Sequence, residues 1–388
     1  MSDLSKKRIA RIASVPFALL GSRSVLSFLS KKFDLDVISS RGDFEDEIQS
    51  VVSKRLIFIE IKREISPFSD LKTLFNLYRV FRKNKYILTH SNTPKGGLLT
   101  AIAAWAARVP IRCHTFTGQR WVTLKGRKRL LLIWCDRLIC TLSTNLYADS
   151  ISQIKFLEES KVSSKDSVKC LGHGGFAGVD LNRFSRSRLI NINTPSWSKA
   201  DEFLTICFVG RLVKEKGVEV LLSSFKKLME KGFKLNLVLI GPYEPRLDPI
   251  DDSWTLFIQS CKNIYYLGFL ENPEEAMVHC DVICLPSFRE GFPMVIIEAA
   301  SLEVPALVSN IVGSVDTVIH DETGLIFNSN DEESLSDAIK RIYYDRSLLV
   351  EMGKRAHVRT VDFFSNEYLQ TLYEKEYTNL VANYEKNI

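Results

Sequence analysis

Short apolar runs alternate with longer amphipathic stretches along almost the whole chain. Short apolar runs bounded by turn residues are typical of buried parallel strands, and the longer stretches are typical of helices. In the first half we predict strands at residues 8–15, 36–39, 56–61, 86–90, 111–117, 137–142 and 168–171. Helices are predicted between them at residues 17–33, 67–85 and 95–107.

The second half repeats this alternation after a glycine-rich segment at residues 172–178. Its strands are predicted at residues 204–209, 235–240, 264–267, 282–285, 306–309 and 325–327. Its helices are predicted at residues 216–231, 253–261, 273–279 and 292–302, with three more starting at 332, 347 and 365. Strands alternating with helices predict an α/β fold, here two Rossmann-like domains whose doubly wound parallel sheets have helices on both faces. The expected bounds are residues 1–177 and 178–365, followed by a final helix at 366–388.

Charge is distributed very unevenly over the 388 residues. Residues 1–183 contain 31 Lys and Arg against 16 Asp and Glu, whereas residues 184–388 contain 21 against 30. A basic half suits an anionic partner, either a membrane surface or nucleic acid. No recognition helix, aromatic platform motif or zinc-ligand spacing supports nucleic acid, so we expect none as a partner.

The cysteine pattern and the apolar runs indicate a protein of the cytoplasm. Eight cysteines are dispersed without a C-x2-C pair, which is typical of reduced, buried thiols. No uninterrupted apolar run approaches the roughly 18 residues of a membrane span, and the N-terminus lacks the apolar stretch of a signal peptide. We therefore expect neither a leader nor a membrane-spanning helix.

The most informative stretch is residues 289–300, REGFPMVIIEAA. It follows an apolar run that reads as a strand, Gly291 permits a tight turn, and Pro293 suits the first position of a helix starting near Phe292. The N-terminus of such a helix is an anion site. Glu298 lies among apolar neighbours, so its carboxylate needs hydrogen-bond donors. Ligand hydroxyls are one source, and a neighbouring Arg or the backbone is the other.

A second stretch, residues 208–217, reads FVGRLVKEKG and follows a predicted strand. Loops at the carboxyl ends of parallel strands are where α/β proteins bind ligands. Arg211 offers a planar fork to phosphate oxygens, and Lys216 offers a point charge. Both side chains would otherwise be ordinary solvated cations of the surface.

The pair Glu290-x7-Glu298, the pattern G-R-L-x3-K-G at 210–217 and the segment 172–184 together resemble retaining glycosyltransferases of family four, which have the GT-B fold. The resemblance implies that Arg211 and Lys216 hold the donor diphosphate. It also implies that Glu290 binds the hydroxyls of the donor sugar and Glu298 the ribose. The remaining donor-site residues implied are Gly210, Leu267, Gly268, Phe269, Gly291, Phe292 and Pro293. In this family the last helix returns to the first domain, and ligands bind in the cleft between the domains.

Two loops of the first half would line the acceptor side of such a cleft. They contain Lys95 and Gly96 in one loop and Thr117 and Gly118 in the other. Many relatives have a His directly before the glycine matched by Gly118, whereas this chain has Thr117 there and His114 three residues earlier. His114 is therefore either an acceptor-side residue or an ordinary core or surface histidine.

Residues 119–132, QRWVTLKGRKRLLL, mix basic and bulky apolar side chains. This composition suits the interface of an anionic bilayer or a polyprenyl diphosphate, with Trp121, Arg127, Lys128 and Arg129 as the predicted contacts. A buried helix with a solvated basic face is the alternative. The helix 68–85 is a second candidate for the same role.

The resemblance, which extends to bacterial O-antigen and capsule transferases, and the basic first half together imply a cytoplasmic retaining glycosyltransferase on the inner face of the plasma membrane. The expected donor is a UDP-sugar with an N-acetylated hexosamine, and the expected acceptor is a polyprenyl-diphosphate-linked saccharide of an O-antigen or capsule pathway. No D-x-D pair suited to a diphosphate-bound metal is evident, so no metal or other cofactor is expected. A sugar-nucleotide epimerase of the same fold and a non-catalytic donor-binding subunit of a membrane assembly remain as alternatives.

Overall fold

The computed structural model describes residues 4, 7–52, 55–62, 64–192, 195, 197, 202–245 and 248–387. The chain divides into two compact units. The first unit comprises residues 1–178 together with 366–388, and the second comprises residues 179–365. The C-terminal helix therefore belongs to the same unit as the N-terminus.

The first unit contains a seven-stranded parallel sheet in the order β3-β2-β1-β4-β5-β6-β7. Its strands are β1 Arg8–Ile12, β2 Asp34–Ser39, β3 Arg55–Phe58, β4 Leu88–Ser91, β5 Ile111–Phe116, β6 Asn145–Ala148 and β7 Val168–Cys170. Its helices are α1 Phe17–Leu20, α2 Arg23–Lys32, α3 Glu45–Val51, α4 Pro67–Asn84, α5 Pro94–Ala106, α6 Gly126–Leu142 and α7 Ile151–Glu159, with α16 Asn366–Lys386 at the end of the chain.

Strand order decides which face of this sheet each helix covers. The connections through α4, α5 and α6 all advance from β3 through β4 and β5 to β6, so right-handed crossovers place these three helices side by side on one face. The connections through α1, α2 and α3 run in the opposite direction and cover the other face. There α16 packs against α2 and buries Leu369, Tyr373, Tyr377 and Val381 in the core.

The second unit contains a six-stranded parallel sheet in the order β10-β9-β8-β11-β12-β13. Its strands are β8 Leu204–Val209, β9 Leu235–Ile240, β10 Ile264–Gly268, β11 Val282–Leu285, β12 Ala306–Ser309 and β13 Gly324–Phe327. Its helices are α8 Arg186–Leu189, α9 Val218–Glu230, α10 Asp252–Ser260, α11 Glu274–Met277, α12 Met294–Ser301, α13 Ser314–Thr317, α14 Glu332–Tyr344 and α15 Arg346–Phe364. Strand order reverses between β8 and β11, and the loops after these two strands therefore lie next to each other at a topological switch point.

Two predicted elements of the first unit are wrong in kind or number, and the strands predicted at 8–15 and 56–61 end three residues earlier, at Ile12 and Phe58. Residues 137–142 are the last turns of α6, and the strand comes only at β6. A short apolar run does not distinguish a strand from a buried helix segment, and here the helical pattern begins earlier, at Gly126. The helix predicted at 17–33 is two helices, because the chain breaks between Leu20 and Arg23.

Across the ranges that the structure describes, no helix is both long enough and apolar enough to cross a bilayer.

Candidate functional site

The loop after β8 presents Arg211 and Lys216 at the switch point of the second sheet. Gly217 has a left-handed φ of 69°, and a Cβ there would lie 2.0 Å from the carbonyl oxygen of Pro286. Only glycine allows this approach without displacing backbone. The β8 loop is therefore packed directly on the residue that follows β11, and Lys216 faces the loop at residues 287–291.

Lys216 and Glu290 form an ion pair across these two loops. Lys216 Nζ lies 2.6 Å from Glu290 Oε1, and the Ser287 hydroxyl donates to the same oxygen at 2.6 Å. The Glu290 side chain is only 11% exposed. Two short charge-assisted hydrogen bonds thus hold this carboxylate directly before the turn that leads into α12.

A second ion pair, Glu215 with Arg289, joins the same loops and was not predicted from the sequence. Arg289 donates to both carboxylate oxygens of Glu215, at 2.7 and 3.0 Å, and the Phe288 N–H donates to the Glu215 carbonyl at 2.9 Å. Burial alone would raise the pKa of Glu215, but the hydrogen bond and charge of Arg289 outweigh it and hold the pKa below its ordinary value. The only sequence signal was the alternation Lys-Glu-Lys at 214–216 opposite Arg-Glu at 289–290.

Arg211 is also paired with a carboxylate that the sequence did not indicate. Its Nη1 donates to Glu244 Oε2 at 3.1 Å, and Glu244 lies in the loop after β9. The Arg211 side chain is 42% exposed, about twice as much as Lys216. Both cations predicted to bind the donor diphosphate therefore have a carboxylate partner within the second unit.

The N-terminus of α12 lies beside these pairs. The helix begins at Met294, and Pro293 is the extended N-cap residue, so the prediction of a helix start near Phe292 with Pro293 inside the helix is corrected by two residues. No side chain caps this N-terminus. A Cβ on Gly313 would lie 1.9 Å from the Gly291 carbonyl oxygen, so the loop after β12 packs tightly on this turn. Backbone donors of the first helical turn suit an anion at this position.

Glu298 lies further along α12 and is half-buried. Its charge acts on Arg183, whose guanidinium donates to both oxygens of Glu274 at 2.7 and 3.0 Å. The Glu274 hydrogen bond is the largest cause of the raised pKa of Arg183, and the charge of Glu298 raises it further. Arg183 is thus a neighbouring arginine of Glu298, and the role of Glu298 toward ribose hydroxyls stays a prediction.

Residues Leu267 to Phe269 lie at the end of β10, where the pairing of β10 with β9 shifts register between Tyr266 and Gly268. The Gly268 carbonyl accepts a hydrogen bond from the Gly241 N–H at 2.7 Å, which ties this turn to the loop after β9. The Phe269 ring is 63% exposed. The backbone of Gly268 is thus partly engaged within the protein, and the exposed aromatic ring lies beside it.

In the first unit, the predicted acceptor-side loops follow β4 and β5. Lys95 Nζ lies 2.6 Å from Asp70 Oδ1 of α4 and also contacts the Glu64 carbonyl. A Cβ on Gly96 would lie 2.4 Å from the Thr93 hydroxyl. Thr117, which precedes Gly118, donates from its hydroxyl to the Asn92 carbonyl at 2.9 Å, so this hydrogen bond connects the two loops.

His114 is a core residue, which removes it from the predicted acceptor-side set. It is 2% exposed, its Nδ1 lies 2.9 Å from the Ser91 hydroxyl, and its ring packs directly under Gly97 of α5. Burial lowers the pKa of His114 to about 3, so the imidazole is neutral at physiological pH. The choice left open by the sequence is therefore settled in favour of a packing role.

Trp121 is likewise buried, and its predicted insertion into a membrane is wrong. Its side chain is 1% exposed, its indole N–H donates to Asp136 Oδ2 at 2.7 Å, and its ring stacks on Phe156. Arg127, Lys128 and Arg129 are exposed at the start of α6, as a surface contact requires. A buried indole N–H needs a hydrogen-bond acceptor, and Asp136 of α6 provides it for Trp121.

Comparisons with known proteins agree with this architecture. Residues 191–359 match the family model described as glycosyl transferases group 1, and residues 14–150 match the one described as glycosyl transferase 4-like. The chain is 31% identical to the capsular polysaccharide biosynthesis glycosyltransferase CapM of Staphylococcus aureus, over 98% of this chain and 100% of the relative. This chain therefore belongs to the group 1, family-four-like glycosyltransferases.

Two further proteins show how far the likeness extends. A UDP-Gal:alpha-D-GlcNAc-diphosphoundecaprenol alpha-1,3-galactosyltransferase of Escherichia coli is 26% identical over 94% of this chain and 95% of its own length. The structure of Anabaena HepE in complex with UDP matches with a TM-score of 0.78 at 16% identity, covering 96% of this chain and all of that one. The second comparison establishes the GT-B fold, as the sequence predicted.

Proposed function

We propose that this protein is a retaining glycosyltransferase that moves a sugar from a UDP-sugar to a polyprenyl-diphosphate-linked saccharide during assembly of a surface polysaccharide. The observation that carries the proposal is the Lys216–Glu290 pair directly before the uncapped N-terminus of α12, with Arg211 in the same loop as Lys216. Two cations and free backbone donors suit a diphosphate, and a buried carboxylate beside them suits sugar hydroxyls.

The donor diphosphate would take the place of the carboxylates on the two cations. Arg211 would turn from Glu244 to phosphate oxygens, and Lys216 would be shared between phosphate and Glu290. Glu290 would keep the Ser287 hydrogen bond and accept hydroxyls of the transferred sugar, and Glu298 would accept the ribose hydroxyls. Charge that is preorganised around a leaving group is usually the largest contribution to catalysis.

Retention follows if the acceptor hydroxyl attacks the anomeric carbon on the face that the diphosphate leaves. The bond between the acceptor oxygen and the anomeric carbon forms while the bond to the β-phosphate oxygen breaks, and UDP departs with that electron pair. The acceptor proton passes to an oxygen of the departing diphosphate, so no protein base is required. This agrees with the core position of His114, which cannot serve as that base. Arg211, Lys216 and the α12 N-terminus would stabilise the leaving diphosphate in place of a metal ion, and the proposed reaction needs no metal.

The names of the relatives support the acceptor class. The Escherichia coli relative acts with UDP-Gal on a diphosphoundecaprenol-linked sugar, and the Staphylococcus aureus relative belongs to capsule biosynthesis. By analogy, this protein would work in the cytoplasm, peripherally on the inner face of the plasma membrane. For the donor sugar we propose an N-acetylated hexosamine.

The deciding experiment incubates the purified protein with a panel of UDP-sugars and polyprenyl-diphosphate saccharides from bacterial membranes. We expect UDP release coupled to a lipid product heavier by one sugar, with the anomeric configuration of the donor, in the presence or absence of a chelator. UDP release or epimerised donor without a lipid product would favour an epimerase instead. Inversion of configuration or strict metal dependence would overturn the proposed mechanism.

A further inference from the structure

Helices α4 and α6 of the first unit expose large apolar side chains on one face of the sheet. On α4 these are Phe68, Leu71 and Phe75, and on α6 they are Leu130, Leu131 and Trp134. Their side chains are 51% to 93% exposed, with Phe68 the most exposed. Apolar surface of this extent and grouping marks an interaction site rather than scattered surface residues.

The spacing along each helix shows that these residues form faces. On α4 the apolar positions 68, 71 and 75 recur at helical intervals, opposite the buried Leu77 and Phe81. On α6 positions 130, 131 and 134 form one stripe, opposite the buried Asp136. Because α5 packs against both helices, the two stripes lie on the same side of the sheet.

Cations surround both stripes. Lys72, Arg79 and Arg82 lie on α4, and Arg127, Lys128 and Arg129 lie on α6, all with exposed side chains. The acids of these two helices are Asp70, which is paired with Lys95, and Asp136, which is buried. The surface therefore combines apolar side chains with uncompensated positive charge, which is the composition of an interfacial membrane-binding face.

The apolar end of this surface lies at the edge of the sheet where the acceptor-side loops are. Helix α4 follows the carboxyl end of β3, so Phe68 and Leu71 are near that edge, and Asp70 between them contacts Lys95 in the first turn of α5. Helix α6 likewise follows the carboxyl end of β5. An acceptor whose diphosphate lies at headgroup level would therefore meet the first turn of α5 at Lys95 and the loop after β5 at Thr117.

We propose that the exposed face of α4 and α6 docks this protein on an anionic lipid bilayer, with Phe68, Leu71, Phe75 and Trp134 inserted into the interface. The proposal rests on the proposed function in that it explains how the enzyme reaches a lipid-bound acceptor. The occupant is lipid rather than a second copy of the chain, because the cations that surround the stripes would repel the same face of another copy.

The first test is sedimentation with vesicles of phosphatidylcholine, with and without phosphatidylglycerol. The protein should bind the anionic vesicles at low salt and be released at high salt. Phe68→Ser/Leu71→Ser/Phe75→Ser should lower the partition coefficient by roughly tenfold or more, since each change removes apolar area from the interface. Arg127→Ser/Lys128→Ser/Arg129→Ser should lower it on anionic vesicles alone. The matched control Tyr344→Ser/Val350→Ser/Val358→Ser, which alters exposed apolar residues of the second unit, should bind like the parent.

Tryptophan fluorescence provides a second, independent measurement. Trp134 is 65% exposed and Trp121 is buried, while Trp105, 58% exposed, lies at the C-terminal end of α5, away from the carboxyl ends of the strands. Lipids brominated on their acyl chains should therefore quench the parent and a Trp105→Phe variant, and quench a Trp134→Phe variant much less. Unquenched Trp134, equal binding by the α4 triple variant, or a dimer that buries this face in solution would each overturn the proposal.

A transfer assay separates this proposal from the proposed function. The α4 triple variant should keep the parent's UDP-sugar affinity and its activity on a short-chain, water-soluble acceptor. If the parent binds anionic vesicles but transfers no sugar, the proposed function fails and the docking surface stands. If it transfers sugar but ignores the vesicles, the docking surface fails alone.

Discussion

Lys216 Nζ and Glu290 Oε1 are 2.6 Å apart, although the two residues are 74 positions apart in the chain. The pair joins the loop after β8 to the loop before α12 and places a cation and a carboxylate at the same helix N-terminus. A diphosphate with an attached sugar has the complementary arrangement of anion and hydroxyls. This relationship yields the first two predictions.

Removal of either cationic side chain should lower the turnover number strongly and leave the thermal stability almost unchanged. Lys216→Ala and Arg211→Ala should each lower kcat by roughly 10²–10³-fold, the scale of losing one transition-state donor. Steady-state kinetics with thermal unfolding in parallel measures this. Lys214→Ala is the matched control, because Lys214 lies in the same loop but pairs with Asp251 at 2.5 Å, and it should retain nearly full activity. Near-normal turnover in either test variant contradicts the assigned role.

The two glutamates of α12 and its preceding loop should differ in their kinetic effects. Glu298→Gln should mainly raise KM for the donor, because ribose binding is equally strong in the ground and transition states. Glu290→Gln should also lower kcat, because Glu290 positions the sugar that reacts. Comparison of kcat and KM for both variants decides the point, and equal effects on both parameters would refute this division of roles.

Glu244 should compete with the donor for Arg211. An exposed ion pair is worth about 0.2–1 kcal/mol, so Glu244→Gln should tighten UDP binding by roughly 1.4- to fivefold. Calorimetric titration with UDP measures the change. In an Arg211→Ala background the same substitution should have no effect, and Glu202→Gln, which alters a pair with Lys234 elsewhere on the surface, should have none in either background. Weaker UDP binding by Glu244→Gln would show that Glu244 supports Arg211 instead of competing for it.

Asp136 should make stability depend on pH. Burial raises the pKa of Asp136 from 3.8 to about 6, so the folded state binds this proton more tightly than the unfolded chain does. Its contribution is most favourable below about pH 4 and is lost as the pH rises to about 6, with a total of roughly 3 kcal/mol. Asp136→Asn keeps an oxygen for the Trp121 N–H and removes the charge. It should therefore be more stable than the parent at pH 8, by a margin that shrinks towards pH 4.

Denaturant unfolding at several pH values tests this prediction. Asp43→Asn, a change of an exposed carboxylate in a turn, should follow the parent at every pH. A constant difference between Asp136→Asn and the parent across this pH range would argue against titration of Asp136 as the cause.

Much of the architecture and part of the site follow from local patterns in the sequence. The glycines around Arg211 and Lys216 and the run 289–300 identify the two loops, because turn residues and apolar runs depend on their immediate neighbours. The same logic failed at residues 137–142, where a short apolar run fits either a strand or a buried helix and the wider context of α6 decided.

Only the tertiary structure decided which charged groups meet. The pairs Arg211–Glu244, Glu215–Arg289 and Lys216–Glu290 join residues 33 to 74 positions apart, and they depend on the strand order of the second sheet. The tertiary structure also decided which apolar side chains are buried. Trp121 and Phe68 both lie in stretches of mixed basic and apolar residues, yet Trp121 is 1% exposed and Phe68 is 93% exposed. Sequence spacing indicates which residues share a helix face, but whether that face meets a sheet, another helix or solvent depends on the packing of the whole unit.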